Sequence, residues 1–157
     1  MIDESTKRAA QEYLAARLSE DGLTHEQRLN RDAAVALAPV VWKRVKDTVI
    51  TKCVEWNAIT QEETLTCKET VLGDLRIRCA GRPYQMVVHF DSPRRLIMVE
   101  NTARQEHEPK VILCIEGYLT ESGRDAHLVR NNELVNLDML FLGQLRVLAG
   151  LSRKMNG

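Results

Sequence analysis

Two short segments in the middle of the chain constrain the fold more than any other feature. Residues 74–80 alternate Leu75, Ile77 and Cys79 with Arg76 and Arg78, and residues 83–90 alternate Tyr84, Met86, Val88 and Phe90 with Gln85 and His89. A period of two places successive side chains on opposite faces of a strand. Folded as a hairpin about Gly81-Arg82, the segments pair Cys79 with Tyr84, Ile77 with Met86 and Leu75 with Val88. Those six share one face, and Asp74, Arg76, Arg78, Gln85, Val87 and His89 share the other. A slip of one residue would bury the charges, so two independent alternations that agree in one register specify the hairpin. Pro83 cannot donate the closing bond of a two-residue turn, and an open four-residue loop is expected instead.

The strand pattern continues in both directions. The helical period gives way to a period of two from Glu63 onward. Asp91-Ser92-Pro93-Arg94 suits a type I turn with Pro93 at its second position. If this turn keeps the register, Glu100 lies across Val87 from Arg76 and Met98 lies beside His89. Leu96–Asn101 carries apolar side chains on both faces, as does 110–119, which is the pattern of strands covered on both sides. Between them, 103–109 is a polar loop. Asn131-Asn132 tolerates the positive φ of a type I′ turn and predicts a small hairpin joining 126–129 to 134–135.

The flanks are helical. A first helix is expected from about Ser5 to Asp21 with Asp3 or Ser5 as N-cap, ending at Gly22 with Leu23 packed back on Leu18. Ala10, Tyr13, Leu14, Arg17 and Leu18 give it a modest stripe. Thr24, with Gln27 three residues on, opens a second helix through a capping box. This helix is expected to reach about Asn57, with a kink or short break at Pro39, whose ring and missing N–H disrupt the bond to Val35. Val41, Trp42, Val45, Val49, Cys53 and Trp56 recur at spacings of three and four, making it a main contributor to the core. A final helix is expected over 136–154.

These elements define an α+β domain: two N-terminal helices (the second kinked at Pro39), an antiparallel meander of about five to seven strands, and a C-terminal helix packed on the sheet. With 157 residues and no linker composition or repeat, the chain reads as one domain, with 1–58 helical, 63–135 sheet and 136–154 helix. Lys plus Arg equal Asp plus Glu at 22 each, so no broad field attracts nucleic acid or an anionic membrane. The acidic start at Asp3-Glu4 lacks the basic and apolar regions of a secretory signal, and no apolar run approaches membrane-spanning length. Cys53, Cys67, Cys79 and Cys114 are scattered without any CxxC cluster and read as small buried hydrophobes in a reduced, cytoplasmic protein.

The sequence carries no nucleophile elbow, P-loop, dinucleotide fingerprint or HExxH, so no catalytic residue, cofactor or metal is called for. Cys79 and His89 fall on opposite faces of the hairpin and cannot share a tetrahedral metal site. Glu106-His107-Glu108 reads as a solvated loop. The one polar constellation that secondary structure assembles is the charged hairpin face, where Arg76, Arg78, Gln85, His89 and Glu100 would project together. A histidine, a carboxylate and two arginines suit a small anionic ligand or a proton transfer; the plainer reading is a solvated face with cross-strand ion pairs. RNA binding would need stacking aromatics on that face, whereas Tyr84 and Phe90 point the other way. The last helix is apolar round more than half its circumference. Leu137, Phe141, Leu145 and Leu148 suffice to pack it on a sheet, which leaves Leu140, Leu142, Val147 and Leu151 for a second surface. The leading expectation is therefore a non-enzymatic, self-associating protein, a homo-oligomer or the partner of another protein. The alternative is a module or enzyme for a small anionic ligand on the polar sheet face.

Overall fold

The computed structural model describes residues 2–21, 24–105 and 110–151, with side chains described for all of these except 16–21. The order along the chain is α1 (Glu4–Asp21), α2 (His25–Thr60), β1 (Leu65–Glu69), β2 (Leu75–Cys79), β3 (Gln85–Asp91), β4 (Leu96–Asn101), β5 (Val111–Thr120), β6 (Gly123–Arg130), β7 (Glu133–Leu134) and α3 (Leu137–Leu148). The seven strands form one antiparallel sheet in sequential order, an uninterrupted meander. No helix among the described residues is long and apolar enough to cross a membrane.

The central hairpin has the register that its alternation demands. Leu75 pairs with Val88, Ile77 with Met86 and Arg78 with Gln85, and the inward side chains are buried while Arg76 and Arg78 are exposed. The Pro93 turn also keeps the register that places Val87 opposite Glu100 and His89 opposite Met98. Asn131 and Asn132 both take positive φ, at 52° and 65°, and join Arg130 to Glu133 through the expected I′-like turn.

One layer of helix covers one face of the sheet. α2 opens on the capping box: Thr24 Oγ1 accepts from Gln27 N–H at 3.1 Å, and Thr24 N–H donates to Gln27 Oε1 at 2.8 Å. It packs on β5 and β6 and also on β1 at the far edge, so it crosses the sheet. Ala34, Ala38, Val41, Val45, Val49 and Cys53 form its buried stripe, and Trp42 stacks on Phe90 with ring centroids 5.6 Å apart. Each fully buried aliphatic side chain on such a stripe contributes about 1.5–3 kcal/mol of burial. Of the kink or short break expected at Pro39, no break occurs: the helix is continuous through it. Pro39 and Val35 both face outward, so the Val35 carbonyl that loses its partner is turned toward water rather than stranded in the core.

α3 sits beside α2 against β3, with Phe141, Leu145 and Leu148 buried and Leu137 half-buried as the expected packing stripe. It is shorter than its apolar pattern suggests. Asn136 caps it by accepting from Met139 N–H, but it ends at Leu148 rather than near Lys154, and residues 152–154 lie outside the described residues. The stop is a Schellman motif. Gly150, at φ 83°, allows its N–H to reach Val147 O, while Leu151 N–H reaches Arg146 O at 2.7 Å. Arg82 reinforces this end by donating from Nε to Leu148 O at 2.9 Å.

One further expectation changes. β4 and β5 are not covered on both sides: Ile97, Val99, Leu113 and Ile115 are buried, but Leu96 and Met98 are half-buried and Ile112 is exposed on the opposite face. An apolar run shows that a strand can be buried on two sides, not that a second layer exists. The described side chains of α1 add no cover, since all of them from Glu4 to Ala15 are exposed. The expected Gly22–Leu23 ending of α1 and the Glu106-His107-Glu108 loop lie outside the described residues.

Candidate functional site

The polar sheet face forms as the alternation requires, and its rows run across the strands. Thr66 aligns with Arg78 and Gln85; Lys68 with Arg76, Val87 and Glu100; His89 with Met98 and Ile112. The five residues singled out in sequence thus share one face, but most engage close neighbours rather than a common centre. Arg78 reaches Gln85 Oε1 at 3.4 Å. His89 Nδ1 lies 2.6 Å from Asp74 Oδ1. Glu100 accepts from Lys110 Nζ at 2.7 Å, and this hydrogen bond, with the attraction of the ammonium, holds its carboxyl below the ordinary range. Asp91 is lowered in the same way by its hydrogen bonds from Arg94 at the Pro93 turn. Arg76 has no polar partner among the described residues, and it faces Lys68 directly across β1 and β2.

One aromatic was missed on this face. Tyr118 lies two residues beyond Glu116 on β5 and stacks on His127 of β6, with centroids 4.3 Å apart. Its pattern was hidden because Gly117, rather than an apolar residue, holds the inward position. Among the described residues no group of three or more His, Cys, Asp or Glu side chains is placed to hold a metal.

The clefts that run along the helices lie on the other side of the molecule. One, of about 370 Å³, separates the end of α2 from α3 and is lined by Trp56, Ile59, Lys52 and Leu142. A second, of about 450 Å³, continues along α2 past Thr51, Asp47 and Val40, with Asp138 of α3 on its far wall. Lys52 bridges the helices by its 3.1 Å ion pair with Asp138. Leu142 therefore opens onto a cleft, Leu140 and Val147 are half-buried, and Leu151 is 48% exposed.

Uncovered apolar side chains also lie on the helices and were only partly visible in sequence. Val40, Ile50 and Val54 project from α2 away from Val45 and Val49, and Val54 is 63% exposed. On α1, Tyr13 is 65% and Leu14 53% exposed. Val71 and Leu72, at the tip of the β1–β2 hairpin, are also exposed. The signal for α2 was present as Val40, Ile50 and Val54 off the main stripe, but it was masked by the stronger periodicity of the buried side.

Comparison with protein-family models, with curated proteins and with solved structures finds no match.

Proposed function

We propose that this protein is a non-enzymatic, self-associating protein that works through helical interaction surfaces. The observation that carries this reading is α1, a helix of 18 residues whose described side chains all face solvent, Tyr13 and Leu14 among them. In proteins most helical stability comes from packing an apolar face rather than from propensity, so such a helix gains from an apolar partner. The outward face of α2, with Val40, Ile50 and Val54, and the adjoining cleft at Leu142 supply such a surface on the same chain. Two uncovered faces on one chain can cover each other between copies, and equal numbers of acidic and basic residues leave little net repulsion to oppose association. The four free thiols support placing the protein in a reducing compartment such as the cytoplasm.

Light scattering across micromolar concentrations tests this reading. The expected result is a mass above that of one chain, falling toward it when Tyr13 and Leu14 are both replaced by glutamate. A strict monomer at every concentration overturns it.

A second reading keeps the polar sheet face as a site for a small anionic ligand. It is favoured by Lys68, Arg76 and Arg78, three cations on adjacent strands of which Lys68 and Arg76 stand opposite each other without a carboxylate between them. Titration with inorganic phosphate or a short polyanion, with the Arg76→Gln/Arg78→Gln double variant as control, separates it from the first.

A further inference from the structure

Cys53 and Cys67 are 14 positions apart in sequence and sit on different elements, yet the packing of α2 on β1 brings them together. Asn57 anchors the two elements: its Nδ2 donates to Leu65 O and its Oδ1 accepts from Leu65 N–H, both at 2.8 Å. From that clasp the elements run side by side. Going back four residues on the helix covers about 6 Å at 1.5 Å per residue. Going forward two on the strand covers about 6.6 Å at 3.3 Å per residue. Those steps arrive at Cys53 and Cys67. Both point into the same layer, since Leu65 and Cys67 share the inward face of β1 and Cys53 lies on the buried stripe of α2. Farther along, Lys46 Nζ meets Glu69 Oε1 at 3.4 Å, so the pair is bracketed on both sides by contacts between the same two elements.

We propose that Cys53 and Cys67 are an oxidisable dithiol that closes to an intramolecular disulfide between α2 and β1 on reaction with a hydroperoxide.

The two sulfurs differ in the way such a reaction requires. The neighbouring Cys67 sulfur and burial push the Cys53 thiol up, whereas the Cys53 neighbour lowers Cys67. Cys67 is also the more accessible, half-buried where Cys53 is buried. Cys67 is therefore the attacking sulfur. Its thiolate displaces the leaving oxygen of the hydroperoxide, forming a sulfenic acid and releasing an alcohol, or water where the oxidant is hydrogen peroxide. Cys53 then attacks the Cys67 sulfur, the S–O bond breaks, the thiol proton leaves with the oxygen as water, and the S–S bond forms. Two thiols are oxidised and one O–O bond is reduced by two electrons. Bonding distance requires the sulfurs to approach more closely than a hydrogen bond, and β1 can yield because it is an edge strand with a single neighbour.

The test treats the whole native protein with limiting hydrogen peroxide, blocks remaining thiols with an alkylating agent, and reads intact mass and a non-reducing peptide map. The expected product has lost the mass of two hydrogen atoms, retains two alkylatable thiols, and yields a crosslinked peptide containing Cys53 and Cys67 that dithiothreitol separates. Its urea midpoint should rise, because α2 is now tied to β1. Replacing Cys79 and Cys114 with serine together should leave the crosslink intact, while Cys67→Ser should slow the loss of free thiol by about tenfold or more. Sulfinic acid at Cys67 with Cys53 still free overturns the proposal, as does a crosslink that joins two copies or involves Cys79 or Cys114. The primary reading uses the unsubstituted protein, so the outcome stands even if a variant fails to fold.

Discussion

Gly117 on β5 lies directly beneath the Asn30 backbone of α2: a Cβ added at Gly117 would sit 2.1 Å from the Asn30 carbonyl oxygen and 2.9 Å from its carbon. The obstacle is backbone, which cannot rotate aside as a side chain would. The same turn of α2 is pinned by Arg124, which donates to both Asn30 Oδ1 and Glu26 Oε2. Gly117→Ala should therefore lift the first third of α2 from the sheet and cost about 1–3 kcal/mol, the usual range for overpacking. Urea unfolding measures it. A loss below a few tenths of a kcal/mol would mean that α2 does not rest on β5 at this point.

Acid should weaken the fold through a few identifiable carboxylates. The Arg124 hydrogen bond lowers Glu26 below its ordinary 4.5, and the Lys110 hydrogen bond does the same for Glu100. A depressed folded value means that the unfolded chain binds protons first. The stabilisation is thus complete above the unfolded value and disappears as pH falls through the folded one. Both side chains are solvent-exposed, so each contribution is small. The urea midpoint should decline between about pH 5 and about pH 3, and Glu26→Gln should reduce that decline while lowering the midpoint near neutrality. Equal slopes for the two proteins would show that Glu26 gains nothing from Arg124.

Several of these relationships were legible in sequence and others were not, for physical reasons. The β2–β3 register was legible because a one-residue slip would bury Arg76 and Arg78. The Asn131-Asn132 turn and the Thr24–Gln27 cap were legible because each depends on two residues within four positions of one another. The end of α3 was harder. Leu151 continues the apolar pattern, and only the positive φ of Gly150 reveals the stop. Long-range polar contacts left no local trace: buried Asn101 donates to Gln144 O at 3.0 Å, and neither residue type predicts burial. The Cys53–Cys67 pair was hidden in the same way. Four scattered cysteines resemble separate buried hydrophobes until the crossing of α2 over β1 is known. The members of the polar face could be named, and the hairpin register itself sets Asp74 against His89 and Arg78 against Gln85. The Lys110 partner of Glu100 was not legible, because the register of β4 on β5 is set across a longer connection.

Arg76 and Arg78 provide a test with an unusual sign. Both are exposed; Arg78 has one weak bond to Gln85, and Arg76 faces Lys68. Like charges directly opposite on a sheet are destabilising. The Arg76→Gln/Arg78→Gln variant should change stability by no more than about 0.5 kcal/mol. The change should be toward greater stability at low salt and should vanish as screening removes the repulsion. A salt-independent loss above about 1 kcal/mol would instead reveal a buried network on this face.

Leu142 and Leu145 are three positions apart on α3, and glutamate at each should give opposite results. Leu145 is fully buried beneath the helix, so a carboxylate there must be desolvated without a partner, and Leu145→Glu should unfold the protein. Leu142 is half-buried and opens onto the cleft with Trp56 and Ile59. Its carboxylate can turn to water, so Leu142→Glu should remain folded at a cost of about 1 kcal/mol in lost apolar contact. If the cleft receives a second copy, that variant should also lose the concentration-dependent mass of the unsubstituted protein. Circular dichroism follows the fold and light scattering follows the mass in the same sample. A Leu142→Glu protein that stays folded and associates normally would remove this cleft from the interface and leave the outward face of α2, around Ile50 and Val54, as the surface to substitute next.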